Sequence, residues 1–293
     1  YTVNNSAISN SKVSDFLKSK ELFFNRYVAR THHSDDTASM LIGRLLDQVV
    51  QDGSLVKFRR QYHVKVTKTG DPKLYAKMQK IVATEPERIV TQETYSKIIN
   101  MGDRITRSPF YKWYKKNKAQ FQVPLHRSTS SWFKTATELT KIQPFDVCGL
   151  IDMLTIKGDT AYVDDLKTTK TSSMRTAQSW FWKCQDMGYF RQMGLYRWLV
   201  QQAHPEVKNF ICRHVVISNE KADIHPIKLF LIPQSLLDQG LKEFFEVATQ
   251  IAIEERFIDE LPDWDSIEKL PEAIASASTG PVELDGEELE ETS

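Results

Sequence analysis

Asp152, Asp165 and Lys167 stand on two strand-like runs hinged at Gly158-Asp159. A two-residue turn with Gly at its first central position suits a type II′ hairpin, and that turn sets Asp152 across from Asp165. Directly opposed side chains of an antiparallel pair lie roughly 5 Å apart. Like charges there are destabilising unless something stands between them, most simply a divalent cation. Lys167, two residues beyond Asp165, falls on the same face by the period of two along a strand. One surface thus offers two hard oxygen ligands and an ammonium.

An Asp-x-Lys triplet alone is commonplace on solvated surfaces. Its surroundings here change the reading. Asp152 is embedded among Val147, Leu150, Ile151, Met153, Leu154 and Ile156, and Asp165 follows Ala161, Tyr162 and Val163. Both are therefore expected on central, partly buried strands, where unpaired carboxylates are costly.

Three motifs accompany this hairpin: Gly149-x-x-Asp152, Asp165-x-Lys167-Thr168, and Tyr189-x-x-Gln192-x-x-x-Tyr196. Together they resemble the PD-(D/E)xK nucleases of the RecB/RecE type, and most of all the phage and prophage RecE-like exodeoxyribonucleases of the exonuclease VIII kind. Ile8-Ser9-Asn10-Ser11, Ser39-Met40-Leu41-Ile42-Gly43 and Val90-Thr91-Gln92-Glu93-Thr94-Tyr95 are similar to the layout of that family, so the resemblance covers most of the chain to about residue 255.

The resemblance implies an α/β fold with a restriction-endonuclease-like core: a central mixed sheet flanked by helices, with a mostly helical insertion at 70–125 before the catalytic strands. It implies metal-dependent hydrolysis of DNA with Mg²⁺ or Mn²⁺, two ions in all. Asp152, Asp165 and the backbone carbonyl of Leu166 would be ligands, and Lys167 would orient the attacking water. Gln192 and Tyr196, at i and i+4 of a helix expected over 187–202, would abut the site and hold the carboxylates or the DNA backbone. The family habit is 5′-to-3′ resection of duplex ends, leaving a 3′ overhang for an annealing protein of the RecT or Redβ kind, in trimeric or tetrameric rings. Single-strand trimming, endonucleolytic cleavage, or a non-catalytic DNA-binding or assembly role on the same fold are the alternatives.

One position departs from the family. Where such nucleases place a His four residues after the helix Gly, Gly43 is followed by Arg44, Leu45, Leu46 and Asp47. Ile42, Leu45, Leu46, Val49 and Val50 mark the buried stripe of a helix. Asp47 lies off its centre, one turn from Gly43, whose missing side chain leaves room for a metal or a phosphate. Aspartate is itself a Mg²⁺ or Mn²⁺ ligand, so Asp47 is a candidate. Glu138 is another, on a strand expected over 132–139, where family members often carry an acid near the metals.

At 293 residues, 41% hydrophobic and 26% charged, the chain suits one large α/β domain over 1–272. No apolar run reaches the roughly 18–20 residues of a membrane span, and nothing at the start resembles a signal peptide. With three scattered cysteines, Cys148, Cys184 and Cys212, a reducing cytoplasm is expected, and the four-cysteine iron–sulfur cluster of some related nucleases is not. His32-His33 has no ligand partner at useful spacing. The formal charge of +1 conceals an asymmetry, because 281–293 holds six acids and no base, leaving 32 acids against 39 bases elsewhere, or +7. Lys57/Arg59/Arg60 and the Lys-Trp-Tyr-Lys-Lys-Asn-Lys run at 112–118 mix cations and aromatics as a phosphate-tracking surface would.

The elements that must position the site read as a helix over 12–24, the Asp47 helix, a β-like segment over 55–68, and helices over 73–83, 92–107 and 110–118. The catalytic strands are expected within 132–167, further strands over 210–218 and 224–231, and an amphipathic helix over 235–257. The composition then decays into a flexible acidic tail over 273–293.

Overall fold

The structure is a computed structural model that describes residues 7–31, 37–65, 72–130, 144–220 and 225–259. The chain divides into two compact units, Tyr1–Ile251 and Ala252–Ser293, and the sheet belongs to the first. Five strands lie in sequence order: β3 (Gln120–Ser128), β4 (Asp146–Lys157), β5 (Thr160–Thr169), β6 (Asn209–Ser218) and β7 (Ile227–Leu231). β5 and β6 are parallel and the other neighbours antiparallel. Parallel neighbours need a crossover, and here it carries α8 (Ala177–Met187) and α9 (Tyr189–Ala203). A separate two-stranded ladder joins β1 (His63–Val64) to β2 (Ile89–Val90).

The central strands send side chains to two cores, by alternation along β5 and β6, while along β4 the alternation breaks at Asp152, so that Ile151 and Met153 enter different cores. Met153, Leu166, Val215 and Ile217 meet α3 (Ala38–Asp52), α4 (Leu55–Gln61), α6 (Gln92–Thr106) and α7 (Pro109–Lys116) on one face. Ile151, Leu154, Val163, Cys212 and Val216 meet α8, α9 and Leu237 of α10 (Gln234–Asp259) on the other. The helices start where a hydroxyl can take an orphan amide. Thr37, Ser54, Thr91 and Ser108 each accept from a backbone N–H of the first turn, and Thr176 and Ser179 cap α8 reciprocally. Gly188, at φ 64°, ends α8 and redirects the chain into α9.

Buried Arg191 ties α9 to α1 (Asn10–Lys18) and α10. Its guanidinium donates to Asn10 at 2.9 Å and Ser14 at 3.0 Å and pairs with Glu243. The start of the described chain joins the sheet directly: Ile8 N–H donates to the Asp146 carbonyl, and Cys148 N–H donates to that of Ile8.

Several boundaries differ from those the sequence suggests. The helix expected over 12–24 breaks at Ser19, whose side chain caps a new turn, α2 (Lys20–Phe23), followed by a π-helical turn to Val28. Residues 55–61 are helical rather than extended. Ser54 caps them, and only Phe58 is buried, so their apparent alternation served no sheet. β3 begins at Gln120, inside the range assigned to the helical insertion, while the strand and Glu138 expected over 132–139 fall outside the described residues, as do His32-His33 and the tail. The aromatics of 112–116 turn inward: Tyr114 is buried and Trp113 half-buried, leaving lysines at the surface.

Trp113 packs on one side of an ion pair at the heart of the first core. Asp164, fully buried, accepts from Arg213 Nε at 2.6 Å and Nη2 at 2.8 Å, and the guanidinium lies over the Trp113 and Tyr162 rings. Burial pushes the Asp164 carboxyl up, with a smaller push from Asp165, and Arg213 opposes it. Removing one partner of such a pair leaves a buried charge uncompensated, a cost of roughly 3–5 kcal/mol, whereas replacing both is often close to neutral. Arg213→Met should therefore lower unfolding stability in urea by about that amount, and Asp164→Leu/Arg213→Met should recover most of it. An additive double variant would show that the pair is not coupled.

Candidate active site

The hairpin has the register its turn requires. Gly158 alone of the two turn residues has positive φ, 61°, as a type II′ turn demands. Lys157 opposes Thr160, and the ladder runs to Met153 opposite Asp164. There it stops, one residue short of Asp152 and Asp165. Beyond that point β4 pairs only with β3 and β5 only with β6. The two strands part, and the two carboxylates stand at the mouth of the fork instead of inside a closed ladder.

Parting strands leave backbone groups to be satisfied. The Leu166 N–H, released from β4, donates to Asp152 Oδ2 at 2.8 Å. The other oxygen, Oδ1, accepts from Gln122 Nε2 at 3.3 Å. Gln122 interrupts the β3–β4 ladder and sits at φ 50°, a left-handed conformation uncommon for a residue with a Cβ and of the kind found at functional sites. Burial and then Asp165 push the Asp152 carboxyl up to about 7.

Asp165 is 1% exposed, with Oδ2 2.6 Å from Lys167 Nζ, yet no well-directed hydrogen bond reaches that oxygen. Lys167 Nζ also donates to Gln192 Oε1 at 3.0 Å and lies 4.6 Å from the centre of the Tyr189 ring. Burial would lower its pKa, but Asp165 and Asp152 outweigh that and hold it raised, so the ammonium keeps its charge. Gln192 Nε2 donates to the hydroxyl of buried Tyr196 at 2.8 Å. A Cβ on Gly149 would lie 2.9 Å from Leu199 Cδ1 and from Tyr196 Cε1. The three sequence motifs are thus one contact chain: Gly149 admits Tyr196, Tyr196 holds Gln192, Gln192 holds Lys167, and Lys167 pairs with Asp165.

Asp47 reaches the same place from α3, on the opposite side of the sheet from α9. Its carboxyl is pushed well above its ordinary range by burial and by Asp152, with Lys167 opposing and Asp165 adding. A Cβ on Gly43 would meet nothing within 4 Å, so open space adjoins it one turn away. Three acids and one ammonium share a poorly solvated site, a charge balance suited to a hard divalent cation. Among the described residues, no three His, Cys, Asp or Glu side chains form a preformed metal cage. Amide donors take one position on each oxygen of Asp152, and the remaining lone pairs of the carboxylate are available to a cation.

A family model for the PD-(D/E)XK nuclease superfamily matches residues 7–268. The chain belongs to the PD-(D/E)XK nuclease superfamily. Its mixed five-stranded sheet flanked by helices is the fold of that superfamily, whose members hydrolyse nucleic acids and generally use divalent metal ions. The crystal structure of the "Putative exonuclease" from Eubacterium rectale is 13% identical, covers 85% of this chain and 82% of its own, and superposes with a TM-score of 0.55, a likeness of fold. The structure of SSO0001, 12% identical over 81% of this chain and 83% of its own, gives a TM-score of 0.26 and carries no argument. No curated protein matches.

For this PD-(D/E)XK chain, the structure brings Asp47, Asp152, Asp165, Lys167, Gln192 and Tyr196 together. Leu166 follows Asp165 on β5, and its N–H donates to Asp152. Sequence reasoning missed Gln122, since a Gln in an alternating strand gives no sign of left-handed backbone. It also passed over His214, fully buried beside Asp165, although a His inside an apolar strand is a signal in itself. The whole of α8 went unread. Among the described residues, no helix is long and apolar enough to cross a membrane.

The contact chain predicts the effect of one methyl group. Gly149→Ala must push Tyr196 and Leu199 back, at an overpacking cost of about 1–3 kcal/mol. The displaced Gln192 then ceases to hold Lys167. The variant should remain folded by circular dichroism while losing most of its divalent-dependent hydrolysis of DNA. Wild-type turnover would show that the placement of Tyr196 does not reach Lys167.

Proposed function

We propose that this superfamily member is a Mg²⁺- or Mn²⁺-dependent DNA exonuclease of the RecE-like kind. It would resect duplex ends 5′ to 3′ in the cytoplasm of a bacterial or phage-infected cell and pass the 3′-ended strand to an annealing protein. The observation that carries the hydrolytic part is the fork, where Asp47, Asp152 and Asp165 converge on Lys167. A binding module would gain nothing from facing carboxylates beside anionic DNA. The polarity, the annealing partner and a ring-shaped trimer or tetramer rest on the motif resemblance.

Asp152, Asp165, the Leu166 carbonyl and Asp47 would hold the metal ions, which lower the pKa of an attacking water and stabilise the leaving oxygen. Lys167 supplies a fixed positive charge. Held by Asp165 and Gln192 against the Tyr189 ring, its ammonium can orient that water and offset charge building on the phosphoryl oxygens. Gln122 and the Leu166 N–H fix the plane of Asp152 through both of its oxygens. No covalent intermediate is required, because water is the nucleophile.

The test uses 5′- and 3′-labelled linear duplex, single strand and closed circle, with Mg²⁺, Mn²⁺ or EDTA. Linear duplex should lose nucleotides from its 5′ ends, the circle should resist, and EDTA should abolish the reaction. Cleavage of the circle would refute the exonuclease reading, and activity surviving in EDTA would refute the metal mechanism. Asp165→Ala and Lys167→Ala should each lower the rate by about 10²–10³ or more with little change in far-UV circular dichroism. Asp47→Ala should also lose activity, and Asp47→His should regain part of it with a preference for Mn²⁺, since imidazole suits transition metals better than Mg²⁺. A fully active alanine variant would return Asp47 to the role of a helix-surface carboxylate.

A further inference from the structure

Beside Asp165, the second core holds polar groups that the mechanism above does not use. His214 of β6 stands opposite Asp165 in the parallel register and is fully buried. Its Nδ1 is 3.3 Å from the indole Nε1 of Trp180 and 3.7 Å from Cys184 Sγ, both on α8. The rings of Trp180 and Tyr189 meet it edge-on at 5.6 and 5.8 Å. Its other nitrogen, Nε2, has no hydrogen-bond partner and faces Asp165 Oδ2, itself without one, at 4.0 Å.

The chemistry of the partners fixes the tautomer. An indole N–H can only donate, so His214 Nδ1 must accept and carries no proton. The ring is then neutral, with its single N–H on Nε2, aimed at Asp165. The buried His214 Nε2 is left without a partner, which is costly, and it faces Asp165 Oδ2, already ion-paired with Lys167, across a gap about 1 Å too long for a hydrogen bond.

From this geometry we infer that His214 is a positioning residue for Asp165. Trp180 locks it in the Nε2–H tautomer, and it takes up one carboxylate oxygen when Asp165 turns to receive a divalent cation. Oδ2 is shared at present with Lys167. Were the carboxylate to turn toward a metal, the His214 N–H would be placed to hold one of its oxygens and with it the plane of the group. Removing such a supporting partner typically costs tenfold to a hundredfold in metal affinity or activity. The inference rests on the reading of Asp165 as a metal ligand.

The first test needs neither metal nor substrate. Long-range ¹H–¹⁵N correlation spectra of the metal-free, ¹⁵N-histidine-labelled protein, with the His214 signals assigned by their loss in His214→Gln, should show a neutral ring protonated on Nε2. An Nδ1–H tautomer or an imidazolium would overturn the inference. Trp180→Phe removes the indole donor and should shift the ring away from a single Nε2–H form; an unchanged spectrum would remove Trp180 from the assignment. Calorimetric titration with Mn²⁺ then gives the functional readout. His214→Leu should weaken Mn²⁺ binding about tenfold to a hundredfold, and His214→Gln, which can still donate, should retain more. The KM for DNA should stay near the wild-type value as kcat falls. If Asp165→Ala abolishes Mn²⁺ binding while folded His214→Leu binds as the wild type does, the positioning role fails and the ligand reading stands. If Asp165→Ala itself binds Mn²⁺ normally, both fail.

Discussion

Three carboxylates held close together in a poorly solvated place repel one another and lose hydration, and the rest of this molecule is arranged around tolerating that. The repulsion is relieved in part by a single ammonium, Lys167, whose raised pKa shows that the acids outweigh its own burial. It is relieved further by amide donors on Asp152. Neither suffices to neutralise the group. Asp152 is left with a carboxyl pushed up to about 7 and Asp47 with one pushed well above its ordinary range, by burial first and by the neighbouring acids next. The parting of β4 and β5 makes such a cluster possible, because a closed ladder would press the two aspartates together with backbone on either side and no room for an ion.

The fork has to be kept open by parts that cannot themselves move. Two cores on opposite faces of the sheet do this. On one face the buried Asp164–Arg213 pair, gripped by Trp113 and Tyr162, anchors α7 to the same stretch of β5 that carries Asp165. On the other, α9 lies so close to α10 that a Cβ on Gly194 would stand 2.5 Å from the Leu237 carbonyl, and one on Gly240 would stand 2.3 Å from that of Phe190. Helices packed this tightly shift as units or not at all. Gln192 and Tyr196 therefore inherit their positions from glycines remote from the chemistry.

What the sequence made legible was the part governed by local rules. The period of two and the Gly158-Asp159 turn predict the hairpin register, and the structure has that register. The stripe of Ile42, Leu45, Leu46, Val49 and Val50 marks α3 and leaves Asp47 off its centre. The end of the β4–β5 ladder was not legible, since nothing in the strand pattern distinguishes Met153 from Asp152 as the last paired position. The same holds for the left-handed backbone of Gln122, which tertiary context imposes against propensity. The segment at 55–61 was misread because a short run with one buried residue fits either period, and the Ser54 cap decides it. His214 went unread because its meaning depends on which strand lies beside β6.

Aspartate at position 47 becomes intelligible within this geometry. It enters from α3, the face opposite α9, so the site is closed from both cores at once and Asp47 reports on the first core as Gln192 reports on the second. A histidine there would bring a neutral ring and leave two acids against one ammonium; an aspartate brings a third negative charge into a group that already repels itself. That charge adds to the electrostatic cost of the cluster, a cost that a bound cation would offset. In the proposed metal site the same charge would make the oxygen set harder, which would suit Mg²⁺ and Mn²⁺ better than softer metals. If Asp47 serves as proposed, its charge would strengthen the coupling between metal binding and the stability of the fork, in a fold whose two cores hold Asp47 and Gln192 from opposite sides.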